Sequence, residues 1–346
     1  YGWLGDTNKG LNMADTSIRW GLLGAGGIAG VFAENLLTEG ITVQAVAARD
    51  GDKARAFADR FDLPTAHEGY AALLADPEVD AVYVNTTHNF HAEHALLAIE
   101  AGKPVLVEKA FTVTAAEARR VADAARSAGV FAMEAMWTRF LPSTDFVRAR
   151  IADGSLGEVR AVITDHSQFL NPDPKGRLHN PELAGGALLD LGVYNVSFAV
   201  DLLGAPTDIV ARGTLTATGV DAEVSMVLTH AGAAVSEGHT TMLSAGPSRG
   251  LVIGTEGYLE LDGAFYNWTQ VRRFDGPGRR GELERFEPQR TSRGMHFQAL
   301  EVERCLREGL TESPRLTLDD SIAVMEVLDE LRRQVGCVLP QDHLTG

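Results

Sequence analysis

Cysteine is nearly absent: Cys305 and Cys337 are the only two in 346 residues. Two thiols cannot build a disulfide framework, and neither has the neighbours a cysteine-type zinc site needs. A reducing, cytoplasmic setting is therefore expected. Positive charge is scarce as well. The 31 Lys and Arg residues face 47 Asp and Glu, a net charge of −16, and no basic run offsets the difference. Nucleic acid and anionic membrane surfaces are expected to be repelled. Long apolar runs are also missing, and no stretch is expected to approach the ~20 residues of a membrane span. Residues 1–12 are polar and glycine-bearing, with no basic start leading into an apolar run. They are expected to be neither signal peptide nor helix, with Met13 a candidate natural start.

What remains is globular. A hydrophobic share of 45% with 23% charged residues excludes disordered and fibrous architectures. The length exceeds what one core usually fills, so two domains are expected, 16–138 and 139–336. In the first, short apolar runs at 18–23, 43–48, 81–85, 104–107 and 130–136 alternate with segments of helical period. Ala54, Phe57, Ala58 and Phe61 form one stripe, Ala92, Ala95, Leu96 and Ile99 a second, and Ala118, Val121, Ala122 and Ala125 a third. Thr114 with Glu117 predicts a capping box, and Gly129 a helix end. Strand–helix alternation means a parallel sheet covered on both faces.

Beyond Pro142 the pattern changes. A helix over about 143–153 precedes segments of two-residue alternation, in which Val159, Ala161 and Ile163 share a face, as do Val224, Met226 and Leu228. Further strands are predicted at 234–243, 251–261 and 269–275, with helices at about 186–203, 295–308 and 319–335, the last opened by Asp319. The fold class is α/β: a Rossmann domain followed by an α+β domain with an open, mostly antiparallel sheet. The C-terminal helices are free to pack back on the first domain. An open sheet needs its second apolar face covered, with Val227 and Val235 available there, and a homodimer through that sheet is expected.

Gly24-Ala25-Gly26-Gly27-Ile28-Ala29 follows the first strand and opens the first helix. Gly24 permits the tight turn, Gly26 lets backbone approach a pyrophosphate, and Ala29 lets helix and strand pack closely. The helix N-terminus offers free N–H groups to the phosphates. The second strand ends in Ala47-Ala48-Arg49-Asp50. Where an NAD site puts a carboxylate there stands Ala48, then Arg49, whose planar fork suits a 2′-phosphate, with Lys53 a second positive charge. NADP is favoured. Asp50 remains a possible ribose partner, which keeps NAD open, and the competing reading pairs Arg49 with Asp50 or Asp52.

Two further segments carry chemistry. The fourth run ends in Glu108-Lys109-Ala110, and Gly185-Gly186-Ala187-Leu188-Leu189-Asp190-Leu191-Gly192-Val193-Tyr194 puts Asp190 and Tyr194 four apart on one helical face. Gly186, a turn earlier, leaves room for something bulky. Taken singly, each residue has a plain structural explanation.

In this order they do not. The dinucleotide loop, the Glu-Lys strand end and Gly-Gly-x-x-x-Asp-x-Gly-x-Tyr resemble the glucose–fructose oxidoreductase / inositol dehydrogenase family from Ile18 to Gln334. Val46–Asp50, Met133–Pro142, Ala184–Tyr194 and Glu312-Ser313-Pro314 resemble its dihydrodiol dehydrogenase branch. The resemblance implies hydride transfer between a nicotinamide and a hydroxyl or carbonyl carbon of a sugar, cyclic polyol or dihydrodiol. It implies Lys109 and Tyr194 as the catalytic pair, with Asp190 in the same cluster. It also implies Arg49 at the adenosine phosphate and Trp137 near the nicotinamide, with Thr86, Glu108 and Arg139 counted among the cofactor residues. The family usually has proline after the lysine. Ala110 is expected to relax the backbone there.

Tyrosine, at ~10, is a poor base unless a cation stabilises its anion, a role open to Lys109. Phe169, Arg177 and His179 precede the helix and are candidate substrate contacts, beside Trp137. His88, His91 and His94 prompt a metal reading, but no third ligand follows with zinc spacing. Lining the cofactor cleft, as the family's Asn-x-x-His helix start does, suits His88 and His91 better; no metal is expected. Two alternatives stay open: an aldose or cyclitol dehydrogenase with NAD preference, and a ligand-sensing protein without turnover.

Overall fold

The structure, a computed structural model, describes residues 18–173, 176–276 and 281–343; residues 1–12 and the Met13 candidate start lie outside them. The first half reads β1 (Trp20–Leu23), α1 (Gly27–Thr38), β2 (Val43–Ala48), α2 (Gly51–Phe61), β3 (Thr65–Glu68), α3 (Tyr70–Leu74), β4 (Ala81–Val84), α4 (His91–Glu100), β5 (Val105–Glu108), α5 (Ala115–Ala128) and β6 (Ala132–Ala135). Its six strands run parallel in the order β3-β2-β1-β4-β5-β6. Strands β1, β4, β5 and β6 are buried throughout, as the Val- and Ala-rich runs require. The order reverses beside β1, and loops at the carboxyl ends of β1 and β4 open a crevice there. Thr114 Oγ1 accepts the Glu117 N–H at 3.2 Å, and Gly129 closes α5 in the left-handed region. β3 and α3 escape the sequence pattern because four- and five-residue elements hold too little periodicity.

The second half reads α6 (Pro142–Ala152), β7 (Val159–Ser167), α7 (Val193–Leu203), β8 (Asp208–Leu215), β9 (Asp221–Thr229), β10 (Val235–Thr241), β11 (Gly250–Gly254), β12 (Gly257–Leu261), β13 (Val271–Asp275), β14 (Glu282–Phe286), α8 (His296–Arg307) and α9 (Leu318–Val335). Eight strands form one sheet, β14-β13-β12-β11-β7-β10-β9-β8, antiparallel except where β10 joins β7. The 251–261 segment is a hairpin of two strands rather than one. Thr317, not Asp319, caps α9, in a reciprocal capping box with Asp320.

One sheet face is closed: Val162, Thr164 and His166 of β7 and Val224, Met226 and Leu228 of β9 are buried. Val159, Ala161 and Ile163 point the other way and are half-buried. On that open face Val210 pairs with Val227, 47% and 44% exposed, and the row Val235, Ala161, Ile253, Tyr258, Phe274 runs across five strands.

The expected lack of a span-length apolar run needs correcting. Pro181–Leu203, 23 residues, meets that length and composition, but 89% of its window is buried. It is a core element, its α7 packed on β7 and β10 and against α9. Helix α9 packs against α5 and β6 of the first half and α7 and β8 of the second.

Candidate active site

The crevice at the end of β1 is a cleft of about 840 Å³, within the size range of ligand sites. Gly24 has φ +129°, and a Cβ there would stand 2.4 Å from Asn85 Oδ1, so only glycine fits. A Cβ on Gly26 or Gly27 would meet nothing within 4 Å; their backbone faces open space. Gly26, the N-cap of α1, supplies no side-chain cap, and the first turn holds no acidic residue. The first N–H groups are thus left for an anion. Asn85 Oδ1 is buried without a hydrogen-bond partner among the described residues, a polar atom awaiting a donor. These features fit a dinucleotide. Ile28 lines the cleft, whereas Ala29 is fully buried and serves helix packing instead.

At the far end, Asp50 Oδ1 caps α2, accepting the N–H groups of Asp52 at 3.0 Å and Lys53 at 3.3 Å. Asp52 pairs with Arg55 at 2.5 Å. Both carboxylates offered as partners for Arg49 are therefore engaged, and Arg49 lines the cleft beside Tyr70, His94 and Leu97. Lys53 is exposed on α2 and does not line the cleft. Tyr70 is an unforeseen wall, hidden in the short α3; its ring meets His94 edge-on at 4.6 Å.

Thr86, His88 and His91 line the middle. His88 Nδ1–H donates to Ala184 O at 3.1 Å, and His91 Nδ1–H to Ala110 O at 2.8 Å, with Nε2 3.1 Å from Thr86 O. Burial, with Arg177 adding to it at His88, pushes these rings down to about 3 and about 4 respectively, so both are neutral. His94 Nδ1 contacts Thr86 Oγ1 at 2.9 Å. Each histidine thus has a structural contact, and no group of three His, Cys, Asp or Glu gathers as a metal site among the described residues.

The reacting end assembles Glu108, Lys109, Arg177 and Asp190 in the cleft. Lys109 Nζ donates to Asp190 O at 2.7 Å, lies 3.7 Å from Asp190 Oδ1, and sits 4.7 Å from the Tyr194 ring centroid. Burial works against this ammonium, but Tyr194, Asp190 and Glu108 outweigh it and raise its pKa. Asp190 resists burial through Lys109 and Arg177, whose Nη2 donates to Oδ1 at 2.9 Å, and is held well below the usual carboxylate range. Glu108 is raised by burial and bonded by the Tyr83 hydroxyl.

Tyr194 departs from expectation. Lys109 does lower its pKa, but burial raises it more, with Glu108 adding, so the net direction is upward. The ammonium faces the ring, and the phenol oxygen accepts Trp137 Nε1–H at 3.0 Å. The phenol therefore keeps its proton rather than resting as the anion.

Other expected residues fall elsewhere. Trp137 is buried against Tyr194, and neither ring is among the residues that line the cleft; Tyr194 lies just behind Lys109. Arg139 is 3% exposed, gives Nε–H to Ser197 Oγ at 3.1 Å and pairs with Asp201 at 3.6 Å. It ties the core together and does not line the cleft. Phe169 is 65% exposed and His179 buried, and neither lines the cleft. Asp190 lies on a π-helical turn, Leu188–Gly192, and Tyr194 on α7, which continues it. Gly186 leaves room not for ligand but for Asp221: a Cβ would come 2.3 Å from Asp221 Oδ1, while Oδ2 accepts Leu188 N–H at 2.6 Å. Gly185 lets Arg177 and Leu178 backbone pass, a Cβ there meeting Leu178 O at 2.5 Å. Ala110 is not loose, because His91 fixes its carbonyl. Alternation could have found His166, two residues beyond Thr164 on β7; its ring lies 5.2 Å from Tyr194 and 4.0 Å from Tyr266.

The chain is similar to known proteins over nearly its full length. Residues 18–136 match the model of an oxidoreductase family with an NAD-binding Rossmann fold, and 145–260 match the GFO/IDH/MocA C-terminal domain. Mouse trans-1,2-dihydrobenzene-1,2-diol dehydrogenase is 36% identical over 339 residues, 94% of this chain and 99% of its own. Among solved structures, the 3-ketoreductase KijD10 from Actinomadura kijaniata, in complex with NADP and TDP-benzene, is 28% identical with a TM-score of 0.78, covering 92% and 98% of the two chains. The aldose-aldose oxidoreductase from Caulobacter crescentus, complexed with glycerol, is 26% identical with a TM-score of 0.81, covering 93% and 98%. The chain belongs to the GFO/IDH/MocA oxidoreductase family.

Proposed function

We propose that this protein is an NADP-dependent oxidoreductase acting on a hydroxyl or carbonyl carbon of a sugar, cyclic polyol or dihydrodiol, with Lys109 and Tyr194 as its catalytic pair. The observation that carries the reading is Lys109, half-buried at the reacting end of a dinucleotide cleft between Asp190 and the Tyr194 ring. When bound, the nicotinamide supplies or accepts hydride. The glycine loop and the first turn of α1 hold the pyrophosphate, and Arg49, with its neighbouring carboxylates engaged, meets the 2′-phosphate. Lys109 keeps one N–H on Asp190 O and directs others at the substrate oxygen. In reduction the Tyr194 hydroxyl donates its proton to the forming alkoxide; in oxidation the same oxygen recovers it. Asp190, held ionised, keeps Lys109 charged and, with Arg177, borders the substrate space.

The relatives' names support the substrate range. We read 16–138 as the dinucleotide domain, 139–336 as the substrate and dimerisation domain, and the assembly as a cytoplasmic homodimer. The apolar rows on the open sheet face support the dimer, and two free, buried cysteines are compatible with the compartment. The test is a panel of trans-1,2-dihydrobenzene-1,2-diol, aldoses and cyclitols with NADP and NAD. Turnover with at least one class, faster with NADP, is expected. Cofactor binding without turnover on any of them would favour a sensor.

A further inference from the structure

Glu134 has no contact with the cleft, yet it is a carboxylate only 1% exposed on strand β6. A buried carboxylate is costly unless its oxygens are used. Oε1 accepts the Phe111 N–H at 3.1 Å, and Oε2 accepts the Ser321 hydroxyl at 2.8 Å. Phe111 is fully buried and two residues beyond Lys109. The backbone that carries Lys109 out of β5 is thus gripped from two sides, by His91 on Ala110 O at 2.8 Å and by Glu134 on Phe111 N.

The second grip leads to α9. Ser321 stands in its first turn, and the adjacent Asp320 lies 3.8 Å from Arg139 Nη1. Arg139 in turn holds Ser197, three residues beyond Tyr194 on α7. The same turn of α9 therefore reaches both halves of the catalytic pair, Lys109 through Glu134 and Tyr194 through Arg139.

We propose that Glu134 is a positioning residue: by bridging Phe111 N–H to Ser321 it fixes Lys109 against Tyr194 across the two sheets. The proposal rests on the catalytic reading of Lys109. It is the hydrogen-bonding shape that matters, since a carboxamide can accept from Phe111 with its oxygen and donate to Ser321 with its nitrogen. An apolar side chain leaves a buried N–H unmet and releases the turn.

The test uses full-length Glu134→Ala, Glu134→Gln, Ser321→Ala and Lys109→Met, with NADP and trans-1,2-dihydrobenzene-1,2-diol. Folding and NADP binding are followed separately by thermal melting and tryptophan fluorescence. Glu134→Ala is expected to lower kcat at least ~10-fold, in line with the cost of small misplacements, while KM for both substrates moves less than ~3-fold. Glu134→Gln should recover kcat to within about ~3-fold of wild type. If Glu134→Ala does not fold, Ser321→Ala carries the test, with a kcat loss of roughly 3- to 10-fold at unchanged KM. Wild-type kcat in either deletion, glutamine no better than alanine, or parallel loss of kcat and NADP affinity would each overturn the proposal. Lys109→Met at wild-type turnover would instead overturn the catalytic reading beneath it.

Discussion

The Lys109 ammonium lies 4.7 Å from the centroid of the Tyr194 ring, while the phenol oxygen is bonded from elsewhere by Trp137. Facing the ring, the cation stabilises a tyrosinate less than direct contact with the oxygen would, and burial wins. Tyr194 thus keeps its proton, and in the proposed reaction it would give that proton while Lys109 holds the oxygen that receives it.

Arg49 is predicted to decide the cofactor. The acids beside it in sequence are engaged, Asp50 by the α2 cap and Asp52 by Arg55, which leaves the guanidinium to a 2′-phosphate. A charge-assisted hydrogen bond is worth ~1.5–3 kcal/mol, about a ten- to hundredfold preference. Arg49→Ala should raise KM for NADP by that factor and leave kcat/KM with NAD nearly unchanged. Equal NADP affinity in the two proteins would contradict the assignment.

Glu134 should give the fold a recognisable pH dependence. Burial pushes its carboxyl up to about 7, the nearby Glu108 charge adding and Arg139 opposing. In the unfolded chain glutamate titrates near ~4.3. Between these values the native state holds a proton that the unfolded chain has released, so stability falls as pH rises through the window. Glu134→Gln cannot ionise. It should melt higher than wild type near pH ~8, by on the order of 1–3 kcal/mol, and differ little near pH ~5. A constant offset at both pH values would remove the ionisation from the account.

The open sheet face should pair two chains. Val210 and Val227 are neighbours on it, each nearly half exposed, and self-complementary pairing covers both copies at once. Light scattering is expected to give twice the 37.1 kDa chain mass, and Val227→Glu should shift it toward the single chain. A wild-type monomer at micromolar concentration would rule this arrangement out.

Much of this was legible in the sequence for a physical reason: the first sheet is buried on both faces, so its strands read as bare apolar runs such as Val43–Ala48 and Ala81–Val84. The glycine loop was legible because Gly24 answers a local backbone need. That Arg49, Lys109 and Asp190 line one cleft was legible from order and resemblance. Phe169 was not, since an irregular loop carries no periodicity to say which side faces a cleft. That Arg139 and Trp137 stand behind the cleft lining was hidden, because their partners, Ser197, Asp201 and Tyr194, lie about 60 residues away on another element. The upward pKa of Tyr194 was hidden likewise: burial is a property of the assembled fold. Gly186 was read as space for a ligand when Asp221, from a distant strand, fills it.

The central claim is that Lys109 and Tyr194 act as one proton-handling unit on a bound substrate. The most direct measurement is steady-state turnover of Tyr194→Phe, Lys109→Met and the double variant, with NADP affinity followed by fluorescence. Each single change is expected to lower kcat by ~10²–10⁴-fold, the range for positioned acid–base groups, with NADP affinity altered far less. The double variant should be little worse than either single one, because parts of one unit are not additive. Near-wild-type turnover in either variant, or losses that simply multiply, would contradict the account.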